Sequence, residues 1–298
     1  MISFLSLFGS LLGCGEKETD ADTCRLHTDC ESGVCGDDGF CVDPTGEPSS
    51  ENDTSEDSGD TDDTDTEDTG DSLCVPNHDG VIERDEFPLE VGISVNFLLG
   101  LDTPVDLSGN SWDLSGTMNQ DSTAVVTPTP PSEFWFGENA PDSTYVTVLS
   151  YANETYGVFT LTDDALYLDG IASFEEGLFS TQLGFDPPVP MLQFPIQEGD
   201  SWEVETTVSG LFNGSWTTYL ETYTAQIDKA GTLTTPMGEF PVLRLNTGVD
   251  RWIGLLNTKN RSMGFVAECY GVVATVSSEL DETASEFTQA SQVLRITP

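Results

Sequence analysis

Histidine is nearly missing from this sequence: among 298 residues only His27 and His78 are of that type, and both precede residue 91. The later part of the chain therefore has no imidazole base for a Ser-His-Asp or Cys-His nucleophile and no histidine ligand for zinc or iron. Carboxylates are abundant instead. With 53 Asp plus Glu in the chain, two acids close in sequence carry little information, and Asp200 with Glu203 are only nominal partners for a glycosidase-type pair. Such a pair needs its carboxyl groups roughly 5–10 Å apart, which sequence spacing does not settle. Cysteine is the remaining reactive type. Cys24, Cys30, Cys35 and Cys41 follow a C-x5-C-x4-C-x5-C spacing, which lacks the C-x2-C knuckle of structural zinc and points to disulfides in an oxidising compartment. Three connectivities are open to them. So little apolar material surrounds them that the segment needs covalent staples to be ordered. Cys74 and Cys269, at opposite ends of the later region, are expected to pair and tie its first residues to a late strand.

A second constellation follows Cys74. Asn77, Asp79, Gly80, Ile82, Glu83 and Glu86 fall on positions 3, 5, 6, 8, 9 and 12 of an EF-hand loop, with the Val81 carbonyl at position 7. Each has a mechanical reason: oxygen ligands at alternate positions, glycine for the sharp turn, isoleucine for a short pairing strand, and a glutamate able to chelate with both oxygens. Val75 stands at position 1, where an aspartate is normal, and Pro88 stops the exiting helix after barely a turn. Residues 73–90 thus resemble a degenerate, dockerin-like half EF-hand. The resemblance implies calcium bound by Asn77, Asp79, Val81, Glu83 and Glu86; the competing reading is a structural Asp-Gly turn that leads the chain into its first strand. No other cofactor is expected.

Residues 1–13 are an apolar run of signal-peptide length, too short to span a bilayer. They end at Leu11-Leu12-Gly13-Cys14, which resembles the lipobox of bacterial lipoproteins. The resemblance implies that Cys14 is diacylated and begins the mature chain, and Gly15 in place of Asp favours the outer membrane or cell surface. A membrane contact through this lipid anchor is the expected partner, with an envelope protein, glycan or lipid as further ligands. Removing Cys14 from the seven cysteines leaves six, all able to pair. Within 24–42, Asp29-Cys30-Glu31-Ser32-Gly33-Val34-Cys35 resembles the short DC-x-SG-x-C modules of secreted bacterial proteins, for which Cys24–Cys35 and Cys30–Cys41 is the favoured connectivity.

The formal charge is −44. A field of this sign repels nucleic acid and anionic headgroups. Residues 15–90 hold 26 acids against 3 bases, and residues 91–298 hold 27 against 6. Between the tether 14–23 with its module 24–42 and the loop 73–90 lies an acidic stretch, 43–72, with 13 acids, no base and no apolar core former but proline. Self-repulsion and want of burial predict an extended, disordered spacer.

From residue 91 to 298 the pattern is all-β. Alternating segments at Gly92–Leu99, Trp112–Met118, Thr144–Tyr151, Tyr156–Leu161, Ala165–Leu168, Leu178–Phe185, Ser201–Ser209, Thr217–Ile227, Val242–Thr247 and Gly264–Ser277 read as strands of one antiparallel domain. Turn signals stand at 108–110, 163–164, 213–214 and 259–260. Pro236 and Gly238 predict a tight turn over Thr235–Glu239. Pro195 to Glu205 carries P-x-x-x-G-x-x-W, Thr235 to Arg244 carries T-P-x-G-x-F-x-x-L-R, and Gly264 to Ala274 closes the series. These resemble the strands of DUF3108-like bacterial lipoprotein domains, similar in turn to the lipoprotein-sorting carriers. The resemblance implies a curled antiparallel sheet, a half-open barrel, with Trp202 and Phe240 facing its hollow as ordinary core or as the lining of a ligand cavity. Arg244, Arg251, Lys259, Arg261 and Arg295 are expected to pair with carboxylates. The reading favoured by these residues is a non-enzymatic envelope lipoprotein whose β head binds or supports; an acyl-chain carrier is the second, and a carbohydrate-active enzyme the third.

Overall fold

The computed structural model describes residues 74–254 and 256–298. The signal segment, the tether with Cys14, the module of Cys24, Cys30, Cys35 and Cys41, and the acidic stretch lie outside the described residues.

The described part is all-β. In chain order the strands are β1 (Val81–Ile82), β2 (Val95–Pro104), β3 (Ser111–Asp113), β4 (Ser122–Val126), β5 (Tyr145–Ser150), β6 (Thr155–Leu161), β7 (Ala165–Ser173), β8 (Gln182–Gln193), β9 (Ile196–Gln197), β10 (Ser201–Phe212), β11 (Ser215–Thr235), β12 (Gly238–Ile253), β13 (Leu256–Ala267), β14 (Gly271–Ser278) and β15 (Gln289–Ile296). One sheet runs β4-β2-β15-β14-β13-β12-β11-β10-β8-β7-β6-β5, with β3 added in parallel beside β11, and β1 pairs with β9 on their own. The two edges of this sheet meet. Thr129, just past β4, and Val146 of β5 exchange both backbone hydrogen bonds, at 2.9 and 2.8 Å. The Gln292 carboxamide of β15 also accepts from the amides of Tyr151 and Ala152 at the β5–β6 turn. The antiparallel sheet expected from the sequence is thus curled into a half-barrel that nearly closes.

Period-2 alternation splits the apolar side chains of the central strands between the two faces. Leu243, Leu245 and Val266 join Leu183, Val208 and Ile227 in the larger core, which also takes Ile82 and Phe87 from the segment around β1. Their neighbours Val242, Met263 and Phe265 point the other way, into a second core capped by Leu107, Trp112 and Leu114. Side chains from eight neighbouring strands of the sheet meet in the larger core, so it fills the concave side. A smaller cluster forms where Phe136 packs on Val158 and Ala172.

Local sequence explains most turns. Asn213 (φ 50°) and Gly214 (φ 74°) close the β10–β11 hairpin with both residues left-handed, the geometry that matches strand twist. Thr235 faces Gly238 across the expected turn, and Gly238 has φ 152°. Three expectations fail, one for a cross-strand reason and two for local ones. Lys259-Asn260 is no turn but lies inside β13, where Lys259 Nζ reaches Asp250 Oδ2 across the sheet at 3.2 Å; the chain reverses at Gly254, φ 63°. Gly264–Ser277 is not one strand, since Cys269 and Gly271 both have positive φ and fold it between β13 and β14. Trp112–Met118 stays in the sheet only to Asp113, whose carboxylate accepts from the Ser115 amide and hydroxyl and turns the chain away. Strands β4, β9 and β15 have no counterpart among the expected segments.

The expected pairing of Cys74 with Cys269 is present, across a Cα–Cα distance of 5.4 Å and 195 residues of sequence. Four of the five named cations meet carboxylates: Arg244 with Asp228 and Glu286, Arg251 with Glu221, Lys259 with Asp250, and Arg295 with Asp121. Burial pushes the Asp121 carboxyl up, but the Arg295 hydrogen bond, the Met118 amide and the guanidinium charge outweigh it, so it lies below its ordinary value. A carboxyl lowered on folding adds stability above its unfolded pKa and loses it as pH falls through the folded one. The stability difference between the protein and Asp121→Asn, measured by urea unfolding, is therefore expected to be large at pH 7 and to shrink below about pH 4. A difference independent of pH would show that the Arg295 pair is not its source.

Candidate binding site

The residues singled out in the sequence are dispersed. Trp202 packs against the larger core, its indole N–H donating to the Pro190 carbonyl at 2.7 Å, whereas Phe240 sits in the second core. They face opposite sides of the sheet and share no hollow. The Asp200 carboxylate accepts from the Gln197 amide in the turn between β9 and β10, and Glu203 is exposed on β10. In the loop after Cys74, the Asn77 side chain accepts from the Asp79 amide, Asp79 from the Val81 amide, and Glu86 from the Glu83 amide. Val81 and Ile82 form the short strand β1, paired with Gln197 and Ile196, and Val75 is exposed. Among the described residues no three His, Cys, Asp or Glu side chains group as metal ligands.

A buried polar cluster lies on the concave side, on β11 and β12. Glu221 has no exposed surface; its carboxylate accepts from Arg251 Nε and from the Tyr223 hydroxyl at 2.6 Å, and the Arg251 guanidinium lies 5.6 Å from the Tyr219 ring centre. Burial, reinforced by the Glu221 charge, pushes Tyr219 up to about 12 and raises Tyr223 well above its ordinary value. Both phenols are therefore protonated at neutral pH, and Arg251 balances the carboxylate. The cluster is a satisfied ion pair that spans two strands.

The outer face holds the more open feature. Register places two rows of residues side by side across the strands. Gly170, Gly184, Ser209 and Thr218 form one; Ala172, Gln182, Leu211 and Trp216 form the next. A methyl group built on Gly170 would come 2.5 Å from the Leu183 carbonyl, whereas at Gly184 it would meet open space. The first row is thus a trough, because its residues have little or no side chain. Phe136, Asn139 and Ala140, held over the sheet by the small cluster at Val158 and Ala172, wall it on one side, and Trp216 walls it on the other; the cavity measures about 350 Å³. Asp169 borders it, with its Oδ2 already accepting from the Ser143 and Thr160 hydroxyls at 2.7 and 2.6 Å.

No known protein family, characterised protein or solved structure matches this chain. The site must be judged on its own geometry. Trp216 is 74% exposed and Trp252 51%, with Leu178, Phe179, Phe212 and Leu256 also open to solvent. All lie on strand ends or connections at the β7–β8, β10–β11 and β12–β13 end of the sheet. Antiparallel connectivity puts the β13–β14 turn, with Cys269 and its partner Cys74, at the opposite end. Sequence reading missed this surface because its rows are assembled across strands. The one local signal was a tryptophan beside each of two hairpin turns, Trp216 after Asn213-Gly214 and Trp252 before Gly254.

Proposed function

We propose that the chain is a non-catalytic binding protein of the bacterial envelope, anchored by a lipid on Cys14, with residues 43–72 as its acidic spacer and the β head as its binding part. The observation that carries the reading is the gathering of exposed Trp216, Trp252, Phe179 and Phe212 at the end of the head away from Cys74–Cys269. Soluble proteins rarely expose contiguous apolar surface without a contact for it. An acyl-chain carrier needs an open hollow, and the concave side here holds the larger core, so the outer face is the better binding surface. The likeness to lipoprotein-sorting carriers belongs to the same proposal for its scaffold, not for its ligand.

Retention on envelope fragments tests this. Full-length Cys14→Ala protein, which has no lipid, is expected to sediment with purified envelope from its own cells. Adding Trp216→Ser and Trp252→Ser is expected to lower the bound fraction at least five-fold, with stability within about 0.5 kcal/mol because both side chains are at the surface. Retention of neither protein, or of both equally, would remove the reading.

A further inference from the structure

We infer that the outer-face trough binds a neutral glycan, with a sugar ring laid against Trp216; this rests on the binding-head reading above and names its ligand class. The trough is about 350 Å³, at the small end of ligand sites, which fits one or two rings. Its floor is open backbone at Gly184, where an added methyl group would meet nothing, so a ring can approach closely there. The next row beyond it, Asp186, Thr207, Leu220 and Trp252, is reached by cross-strand pairing. Trp216 and Leu220 are four residues apart on β11, so the rows carrying the two indoles are separated by about 14 Å along the strands. Ser209 and Thr218 lie between them. The result is a floor of glycine and hydroxyl groups with an exposed indole on either side.

Charge and polarity select among ligands. None of the residues lining the cavity is Lys, Arg or His, and a chain of net charge −44 repels an anion before it arrives. Uronic acids, phosphates and sulfated chains are disfavoured on both grounds. Asp169, the one carboxylate at the border, already takes two hydroxyl hydrogen bonds, so it does not call for a cation. Asn139, Gln182 and Ser209 offer amides and hydroxyls that both donate and accept. Such groups suit sugar hydroxyls at a ring's edge, while the indole meets the ring's C–H face. An extended peptide adding as a strand needs unpaired backbone at a sheet edge. Here the trough crosses a sheet face where β7, β8, β10 and β11 already pair with one another.

Affinity electrophoresis of the full-length Cys14→Ala protein tests the inference, using native gels that contain mixed-linkage β-glucan, galactomannan, dextran or xyloglucan, with polygalacturonate as the anionic comparison. Retardation is expected in at least one neutral gel and not in polygalacturonate. Trp216→Ala is expected to weaken it at least ten-fold and Trp252→Ala at least three-fold, while Trp216→Phe, which keeps a flat face, retains most of it. No retardation in any neutral gel overturns the glycan assignment; retardation in polygalacturonate alone overturns the neutrality argument; retardation unchanged by Trp216→Ala overturns the site. If envelope retention still depends on Trp216 while every neutral gel is negative, the binding-head reading stands and only the ligand class falls.

Discussion

Loss of the Cys74–Cys269 disulfide is expected to cost the β head about 4–5 kcal/mol. The bridge closes 195 residues of chain, and the loop-entropy relation gives about 5 kcal/mol for a loop of that size. Other contacts hold the same segment. The Cys269 amide donates to the Glu86 carbonyl at 2.8 Å, the His78 amide to the Glu268 carboxylate at 2.8 Å, and Ile82 and Phe87 are buried in the larger core. Those contacts act in the folded state, whereas the bridge acts mainly by restricting the unfolded chain, so they do not replace it. Urea unfolding of Cys74→Ser/Cys269→Ser should show the loss in full. A thermal midpoint lower by about 10–15 °C should accompany it in a unit of this size. A loss below about 1 kcal/mol would mean that Ile82 and Phe87 alone secure the segment.

Arg244→Met is expected to be comparably severe, at about 3–5 kcal/mol, the usual cost of removing one partner from a buried ion pair. Arg244 is 1% exposed. Its guanidinium donates twice to Asp228, at 2.9 and 2.7 Å, and also to the Leu107 carbonyl, and it stacks 5.1 Å from the Trp112 ring centre. Through these contacts it joins β12 to the segment that caps the second core. Methionine keeps much of the packing but leaves the Asp228 carboxylate with only the Asn246 side-chain amide as donor, and the Leu107 carbonyl with only the Trp112 indole N–H. Arg244→Lys should recover less than half, because an ammonium cannot make the paired contact with both carboxylate oxygens. Unfolding of Arg244→Met, Asp228→Asn and the double variant measures the coupling; additive losses would show that the pair contributes little beyond packing.

Part of this architecture was legible without coordinates. The Asn213-Gly214 hairpin and the Pro236–Gly238 turn depend on local backbone chemistry and appear where they were expected, and most of the period-2 runs fall within strands. The Cys74–Cys269 bridge could be inferred because six cysteines remain once Cys14 is set aside, and these two stand apart from the close-spaced four. What misled was also local. Lys259-Asn260 has turn propensity, but a cross-strand contact with Asp250 outweighs it; Gly264 to Ser277 is apolar on either side of Glu268–Gly271, and that short interruption does not by itself distinguish a bulge in one strand from a reversal between two.

Sequence alone therefore determined the fold class, the uneven acidity and the scarcity of imidazole, since composition, alternation and turn residues act over a few positions. Only the tertiary structure decided which face was filled and which was open. Trp202 and Phe240 were expected on the same concave side, as core or as cavity lining, yet they pack into opposite cores. The trough beside Trp216 needs Gly170, Gly184 and Ser209 to fall in one row, and that row is created by pairing between strands that lie far apart in the chain. Register is a long-range property, so no local pattern could have announced it.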